Sequence, residues 1–143
     1  MQVQMVKYYR YTCKPNEEWQ LFAIPNGGVR DKVTGAKLKA EGVKAGVSDL
    51  FLARPTGHTD RNIHGWFVEV KVGKNKLTMS QRKFGEEMMA AGYGFVVMRD
   101  LDSWMRFLLM LTQSQEETPC DADLIHNLFQ EESERKRLSY SYS

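Results

Sequence analysis

Three residues, Asp49, Glu69 and Lys71, are of the types that bind a divalent cation and act on a phosphodiester. Glu69 and Lys71 lie two positions apart in an apolar segment, residues 66–72, so an extended strand turns both side chains to one face. Charges in a buried strand are costly unless they are paired or bound to a metal. Asp49 lies in a second apolar segment, residues 46–53, and a hairpin of the two segments would bring the two carboxylates and the ammonium together. The structural alternative is a Glu–Lys ion pair beside a capping aspartate.

Gln81 is a fourth candidate, at the third position of a helix that the pattern predicts over residues 79–91. Thr78 and Gln81 have the spacing of a capping box, in which the glutamine amide returns to the backbone of the cap residue. Beside a metal, the same amide would hold a water molecule or a phosphate. The spacing alone supports both interpretations equally.

The segments that carry these residues alternate between strand and helix patterns. Strand-like segments cover residues 1–12, 19–24, 46–53, 66–72 and 95–98. Helical patterns cover residues 35–44, 79–91 and 100–112, and a last short helix begins at Asp121. A strand, a helix and a strand in succession predict a parallel crossover. We therefore expect an α/β fold with a mixed central sheet flanked by helices.

Apolar spacing indicates which residues of these helices face the core. Phe84, Met88 and Ala91 share one side of the first long helix. Four residues share a side of the next: Trp104, Phe107, Leu108 and Leu111. The apolar, aromatic segment at residues 1–12 would pair at a sheet edge or with a second subunit.

Composition bounds the class of protein. With 143 residues, 42% of them hydrophobic, the chain is expected to form one domain over residues 1–130, followed by a flexible charged tail at residues 131–143. No apolar run approaches the roughly 18 residues that span a bilayer, and we expect a soluble, intracellular, cytoplasmic protein. Cys13 and Cys120 are expected to be free thiols. The absence of a phosphate-binding loop argues against a nucleotide cofactor.

Charge is unevenly distributed along the chain. Residues 30–83 carry twelve Lys or Arg against five acids, whereas residues 100–134 carry nine acids and one Arg. A basic segment that coincides with an acidic pair favours a polyanionic partner over a solvated surface of mixed charge. The candidate nucleic-acid-binding residues are Asn26, Gly27, Gly28, Arg30, Lys44, Lys74 and Lys76. His58 and His64, in the polar connection 54–65, are more typical of exposed loop histidines.

The combination of these motifs resembles the VRR-NUC branch of the PD-(D/E)XK nuclease superfamily, in its stand-alone phage and bacterial type. The resemblance covers about residues 19–105. The residues that carry it are Ser48 and Asp49, residues 69–71, Gln81, residues 24–28, 38–50 and 77–81, Gly92 with Tyr93, and Val96 with Val97. It implies a restriction-endonuclease-like fold.

The resemblance also implies a mechanism and a substrate. Asp49 and Glu69, with the carbonyl of Val70, would hold Mg²⁺ or Mn²⁺, since these ions prefer oxygen ligands. Lys71 would orient or help to deprotonate a water molecule, and Gln81 would position the nucleophile or a phosphate. Stand-alone members resemble junction-resolving nucleases that act as dimers. The expected activity is therefore metal-dependent endonucleolytic cutting of branched DNA, such as four-way (Holliday) junctions, by a homodimer.

Two positions depart from the family's pattern. Ser48 stands where the motif usually has proline, a residue that shapes the turn and does no chemistry. The family usually has a glutamate on a helix well before the first strand, whereas here that region carries Gln2 and Gln4. Glu17 or Glu18 would have to replace that acid.

Two other classes remain open from the sequence. The chain could be a DNA-binding module whose nuclease site has degenerated, or an enzyme that uses the same three residues on a small molecule or in a modification reaction. A chain of this length has few ways to read base sequence. We therefore expect recognition of the DNA backbone and shape.

Overall fold

The computed structural model describes residues 1–25, 32–54, 56–57 and 62–113. The helices are α1 (Gln2–Thr12), a 3₁₀ helix (Pro15–Gln20), α2 (Lys32–Ala40), α3 (Met79–Ala90) and α4 (Leu101–Gln113). The strands are β1 (Leu21–Ala23), β2 (Leu50–Leu52), β3 (Thr56–Gly57), β4 (Asn62–Ile63), β5 (Trp66–Val70) and β6 (Gly94–Met98). No helix within these ranges is long and apolar enough to cross a membrane.

The four longer strands form one mixed sheet in the order β1-β2-β5-β6. β1, β2 and β5 pair antiparallel, so the predicted hairpin of the Asp49 and Glu69 segments is confirmed. β5 and β6 pair in parallel, with Trp66 opposite Gly94 and Val70 opposite Met98. The predicted crossover through α3 is therefore also confirmed, as is the mixed α/β class. The short strands β3 and β4 form a separate ribbon.

One face of the sheet packs on α1 and α4 and forms the core. Trp104 of α4 is fully buried, and its indole Nε1–H donates a hydrogen bond of 3.0 Å to the carbonyl of Met5 in α1. The buried residues of this core are Met5, Tyr9, Leu21, Leu50, Leu52, Trp66, Val68, Val96, Met98, Trp104, Phe107, Leu108 and Leu111. The predicted apolar side of α4 is thus confirmed.

The opposite face carries α3 and a row of aromatic rings. Phe67 of β5 packs edge-on against Phe84 of α3, with ring centroids 4.9 Å apart, and Phe51 of β2 lies 4.7 Å from Phe67. Gly85 of α3 sits against the ring of Phe95, where a Cβ atom would come within 2.9 Å of the ring. The missing side chain therefore lets α3 approach the sheet closely, on the same face as Phe67 and Glu69.

Two predictions from the sequence are wrong, one about the type of an element and one about packing. Residues 1–12 form α1 rather than a strand, because Met5 and Tyr9, four positions apart, bury one side of a helix against α4. That packing outweighs the strand preference of its aromatic residues. Ala91 follows the end of α3 and is exposed, while the closely packed residue of that helix is Gly85. The helix predicted from Asp121 and the tail at residues 131–143 lie outside the described residues.

Candidate active site

The antiparallel pairing of β2 with β5 positions Asp49 beside the end of β5. Leu50 lies opposite Val68, which places Asp49 next to Glu69 and Val70. The backbone N–H of Val70 donates a hydrogen bond of 2.8 Å to Oδ2 of Asp49. The carbonyl of Asp49 accepts another of 2.8 Å from the N–H of Ile24. Asp49 is thus held by both neighbouring strands, in the place that the hairpin predicts.

Glu69, Lys71 and Gln81 form one hydrogen-bonded network. The Gln81 amide Nε2–H donates to Oε1 of Glu69 at 2.7 Å, and the ammonium of Lys71 donates to Oε1 of Gln81 at 2.8 Å. The Lys71 Nζ atom also lies 3.4 Å from Oε1 of Glu69. Alternation along the strand therefore brings Glu69 and Lys71 to one face, and α3 adds Gln81 to them.

Gln81 forms the predicted capping box and also bonds to two other candidate residues. Its Oε1 accepts a hydrogen bond of 2.9 Å from the backbone N–H of Thr78, and its own N–H donates to Oγ1 of Thr78 at 3.2 Å. These two bonds form the capping box. The cap fixes the amide, so Gln81 presents Nε2 to Glu69 and Oε1 to Lys71 in one orientation.

Glu69 is an acid in an unusual environment. Glu69 is only 3% exposed. Burial, and to a smaller extent the nearby charge of Asp49, raises the pKa of the Glu69 carboxyl to about 7, while Lys71 acts to lower it. Oε1 is bonded to Gln81, whereas Oε2 is buried and has no hydrogen-bond partner in the described structure. A buried carboxylate oxygen without a partner is costly, and a bound cation would remove that cost.

A close backbone approach joins the loop before β2 to the start of α3. Gly46 has φ +90°, and a Cβ atom there would lie 2.5 Å from the backbone carbonyl carbon of Ser80. Only glycine fits this contact without displacing one of the two segments. Two residues further on, Ser48 is fully buried. Gly46 therefore sets the position of Asp49 relative to Gln81.

Two comparisons with known proteins bear on the family and the fold of this chain. The family model for the VRR-NUC domain matches residues 6–100. This chain belongs to the VRR-NUC domain family. A solved structure described as a VRR_NUC domain protein superimposes with a TM-score of 0.64 at 22% sequence identity, over 79% of this chain and 85% of that one. At that identity the likeness concerns the fold, and a search of curated proteins gave no match.

The donors of this VRR-NUC domain fit a divalent cation in type. Asp49 and Glu69 supply hard carboxylate oxygens, and the unpartnered Oε2 of Glu69 is one that a cation would use. In the described ranges, no group of three or more His, Cys, Asp or Glu side chains gathers to hold a metal. Two carboxylates would therefore leave a cation with backbone, water and phosphate oxygens as its remaining ligands. The role of the Val70 carbonyl stays a prediction.

Neither candidate for the upstream acid joins the VRR-NUC site. Glu17 lies 3.8 Å from the guanidinium of Arg54, and Glu18 lies 3.9 Å from Arg10. Arg54 follows the carboxyl end of β2, whereas Asp49 precedes its amino end, so about 15 Å of extended chain separates the two. The structure therefore places neither acid with Asp49 and Glu69, because both pair with arginines elsewhere.

The lysines predicted to bind nucleic acid lie at the surface of the VRR-NUC domain. Lys44, Lys74 and Lys76 are all exposed. Lys74 and Lys76 belong to the turn between β5 and α3, three and five residues after Lys71. The other predicted contacts, Asn26, Gly27, Gly28 and Arg30, lie outside the described residues, as does His58. His64 is exposed, with its ring centroid 6.0 Å from that of Tyr93.

Arg99 is a residue that sequence reasoning missed. Its guanidinium Nη1 donates hydrogen bonds of 3.1 Å to the carbonyl of Gly73 and 2.8 Å to that of Asn75. The parallel register of β5 and β6 places Arg99 beside Lys71. The available signal was the strand–helix–strand pattern, which predicts neighbours but leaves their register open.

Proposed function

We propose that this VRR-NUC domain is a metal-dependent, structure-specific DNA endonuclease that hydrolyses phosphodiester bonds at branched DNA, such as four-way (Holliday) junctions. The observation that carries the proposal is the network of Glu69, Gln81 and Lys71 beside Asp49, with one carboxylate oxygen left unpartnered. The family supports the nuclease class. Metal dependence and branched substrates belong to the proposal.

The residues divide the work according to charge. Asp49 and Glu69 would hold Mg²⁺ or Mn²⁺, and the chemistry supplied with the cation is polarisation of the phosphoryl group and a lower pKa for water. The ammonium of Lys71 stabilises the negative charge that develops on the phosphate oxygens during hydrolysis. Gln81 holds Lys71 and Glu69 in register, so that the ammonium would lie beside the same phosphate as a cation held by Glu69.

Three exposed lysines that lie close to the site residues in sequence suit recognition of the DNA backbone. Lys44, Lys74 and Lys76 would contact phosphates, which gives affinity that depends on salt but carries little sequence information. A homodimer would present two such sites related by a two-fold axis, and symmetric cuts in a four-way junction require that arrangement. Specificity would then arise from DNA shape.

Cleavage of labelled DNA tests the proposal. The protein is incubated with four-way, flap, splayed-arm and plain duplex DNA in Mg²⁺ and in Mn²⁺, beside Glu69→Ala, Lys71→Ala and the matched control Glu87→Ala, an exposed acid of α3. We expect cutting of branched DNA that Glu69→Ala and Lys71→Ala abolish and Glu87→Ala retains. Cutting that persists in both site variants would refute the assignment. Sedimentation of the free protein checks the dimer.

A second candidate function has one observation in its favour. Within the described residues the site offers two acidic side chains and no cluster of three. A DNA-binding module with a degenerate nuclease site would show this pattern. Tight binding of branched DNA, without cutting in either metal, would support it over the enzyme.

A further inference from the structure

The segment from Val72 to Met79, which we call the basic loop, runs from just after β5 to the first residue of α3 and carries two kinds of side chain. Lys74 and Lys76 are exposed, and the loop contains no acidic residue. Val72 and Met79, at its two ends, are 67% and 88% exposed. Single apolar residues on a surface are common, but two on one short cationic loop call for an explanation.

The basic loop is held in one conformation by several hydrogen bonds. Arg99 clamps it from β6 through the carbonyls of Gly73 and Asn75. The N–H of Asn75 donates to the carbonyl of Val72 at 3.3 Å. The bond between Lys71 and Gln81 joins the two flanks of the loop. The backbone of the loop is therefore already ordered, and it loses little additional entropy when Val72 and Met79 bind a partner.

The loop adjoins the candidate site at both of its ends. Val72 directly follows Lys71, and Met79 comes two residues before Gln81. A DNA strand whose phosphate is bound at Lys71 therefore has its neighbouring nucleotides close to the loop. The lysines favour a polyanion over an apolar protein surface as the partner, because their charges would lose solvation against the latter.

We propose that the basic loop is a wedge that recognises the branch point of DNA by placing Met79 and Val72 against unstacked bases, while Lys74 and Lys76 contact the adjoining phosphates. This inference rests on the proposed function and names the feature of the substrate that the site selects. Apolar side chains of other DNA-binding proteins enter base steps in this way. Unstacking is costly in a continuous duplex and cheaper at a branch, so the wedge discriminates between the two.

Fluorescence of 2-aminopurine, which rises when the base unstacks, tests the wedge separately from cleavage. The full chain is mixed, in Ca²⁺, with a four-way junction that carries 2-aminopurine at the branch, and with a duplex that carries it internally. The variants are Met79→Ala, the double variant Val72→Ala with Met79→Ala, and the control Leu109→Ala. Leu109 is 58% exposed on α4, on the other face of the sheet. Affinity for both DNAs is measured in parallel.

We expect the wild-type protein and Leu109→Ala to raise the fluorescence of the junction and to prefer it over duplex. The double variant should not raise the fluorescence of the junction, and its preference for junction over duplex should fall about tenfold. Its affinity for the duplex should change little. A double variant that keeps both would overturn the wedge. If the wild-type protein cuts branched DNA under Mg²⁺ in that case, the proposed function stands without it. A wild-type protein that binds neither DNA overturns both.

Discussion

The side-chain amide of Gln81 donates a hydrogen bond of 2.7 Å to Glu69, although the two residues belong to different elements, the start of α3 and the end of β5. The same amide accepts from Lys71 and caps its own helix. Gln81 therefore connects the stability of α3 to the geometry of the candidate site. Substitutions can separate these two contributions.

Gln81→Ala should lower cleavage of branched DNA about 10- to 100-fold, because Glu69 and Lys71 lose the residue that orients them. It should also cost about 1 kcal/mol of the free energy of unfolding through the lost cap. Thr78→Ala is the matched control. It removes the Oγ1 acceptor of the cap, at a similar cost in stability, and leaves the Glu69–Gln81–Lys71 bonds intact. Cleavage rates and thermal melts measure both effects, and equal loss of cleavage in the two variants would contradict this separation.

The metal-free protein should lose stability as pH rises towards neutrality. The pKa of Glu69 is raised from 4.5 to about 7, chiefly by burial. Between those values the unfolded chain releases a proton that the folded protein keeps. The contribution of the Glu69 proton to the free energy of unfolding is therefore present in full below about pH 4.5. It is lost as pH rises through about 7. The change is on the order of 3 kcal/mol.

Thermal melts at about pH 5 and about pH 8, in a chelator, measure that change. Glu69→Gln has no proton to release at this position, so the difference in melting temperature between the two pH values should shrink. Under the proposed function, Mg²⁺ would bind the ionised carboxylate, and the stabilisation that it produces should grow with pH over the same window. Identical pH profiles for wild type and Glu69→Gln would refute the assignment of this titration.

Glu17→Ala should destabilise the fold without affecting cleavage. The Glu17 and Arg54 side chains are only 14% and 9% exposed, so removing the carboxylate leaves a buried guanidinium without its counter-charge. The expected cost is about 3 kcal/mol in the free energy of unfolding. Glu18→Ala removes the exposed partner of Arg10 and should cost about 0.5 kcal/mol or less. Denaturant titration gives both values. A folded Glu17→Ala protein that binds DNA but does not cut it would instead make Glu17 part of the site.

Gly46→Ala should impair cleavage as well as folding. A methyl group at this position meets the backbone of Ser80 and must push the Asp49 loop away from α3. Gly42→Ala is the control, because Gly42 has a similar φ of +100° but open space around its Cβ position. In both variants, backbone strain lowers the free energy of unfolding by roughly 1 kcal/mol or more. Only Gly46→Ala should lower cleavage measured at a temperature where both proteins are folded, and an equal effect on cleavage would rule out the steric explanation.

The sequence by itself determined the elements that have local signals. Alternation in residues 66–72 predicted a strand with Glu69 and Lys71 on one face, and Thr78 with Gln81 predicted the start of α3, because side-chain periodicity and capping depend on near neighbours. The succession of strand, helix and strand predicted the parallel crossover. The motifs also indicated the family, since their residues come in a characteristic combination.

Only the tertiary structure decided what depends on distant contacts. α1 is a helix because α4 buries Met5 and Tyr9, and nothing within residues 1–12 reveals that partner. The raised pKa of Glu69 likewise arises where β2, β5 and α3 meet. The same is true of Gln81, which caps α3 and also bonds to Glu69 and Lys71. Arg99 acquires its clamp on the basic loop from the register of β5 with β6. Burial and register are properties of the packed chain, so local sequence patterns do not contain them.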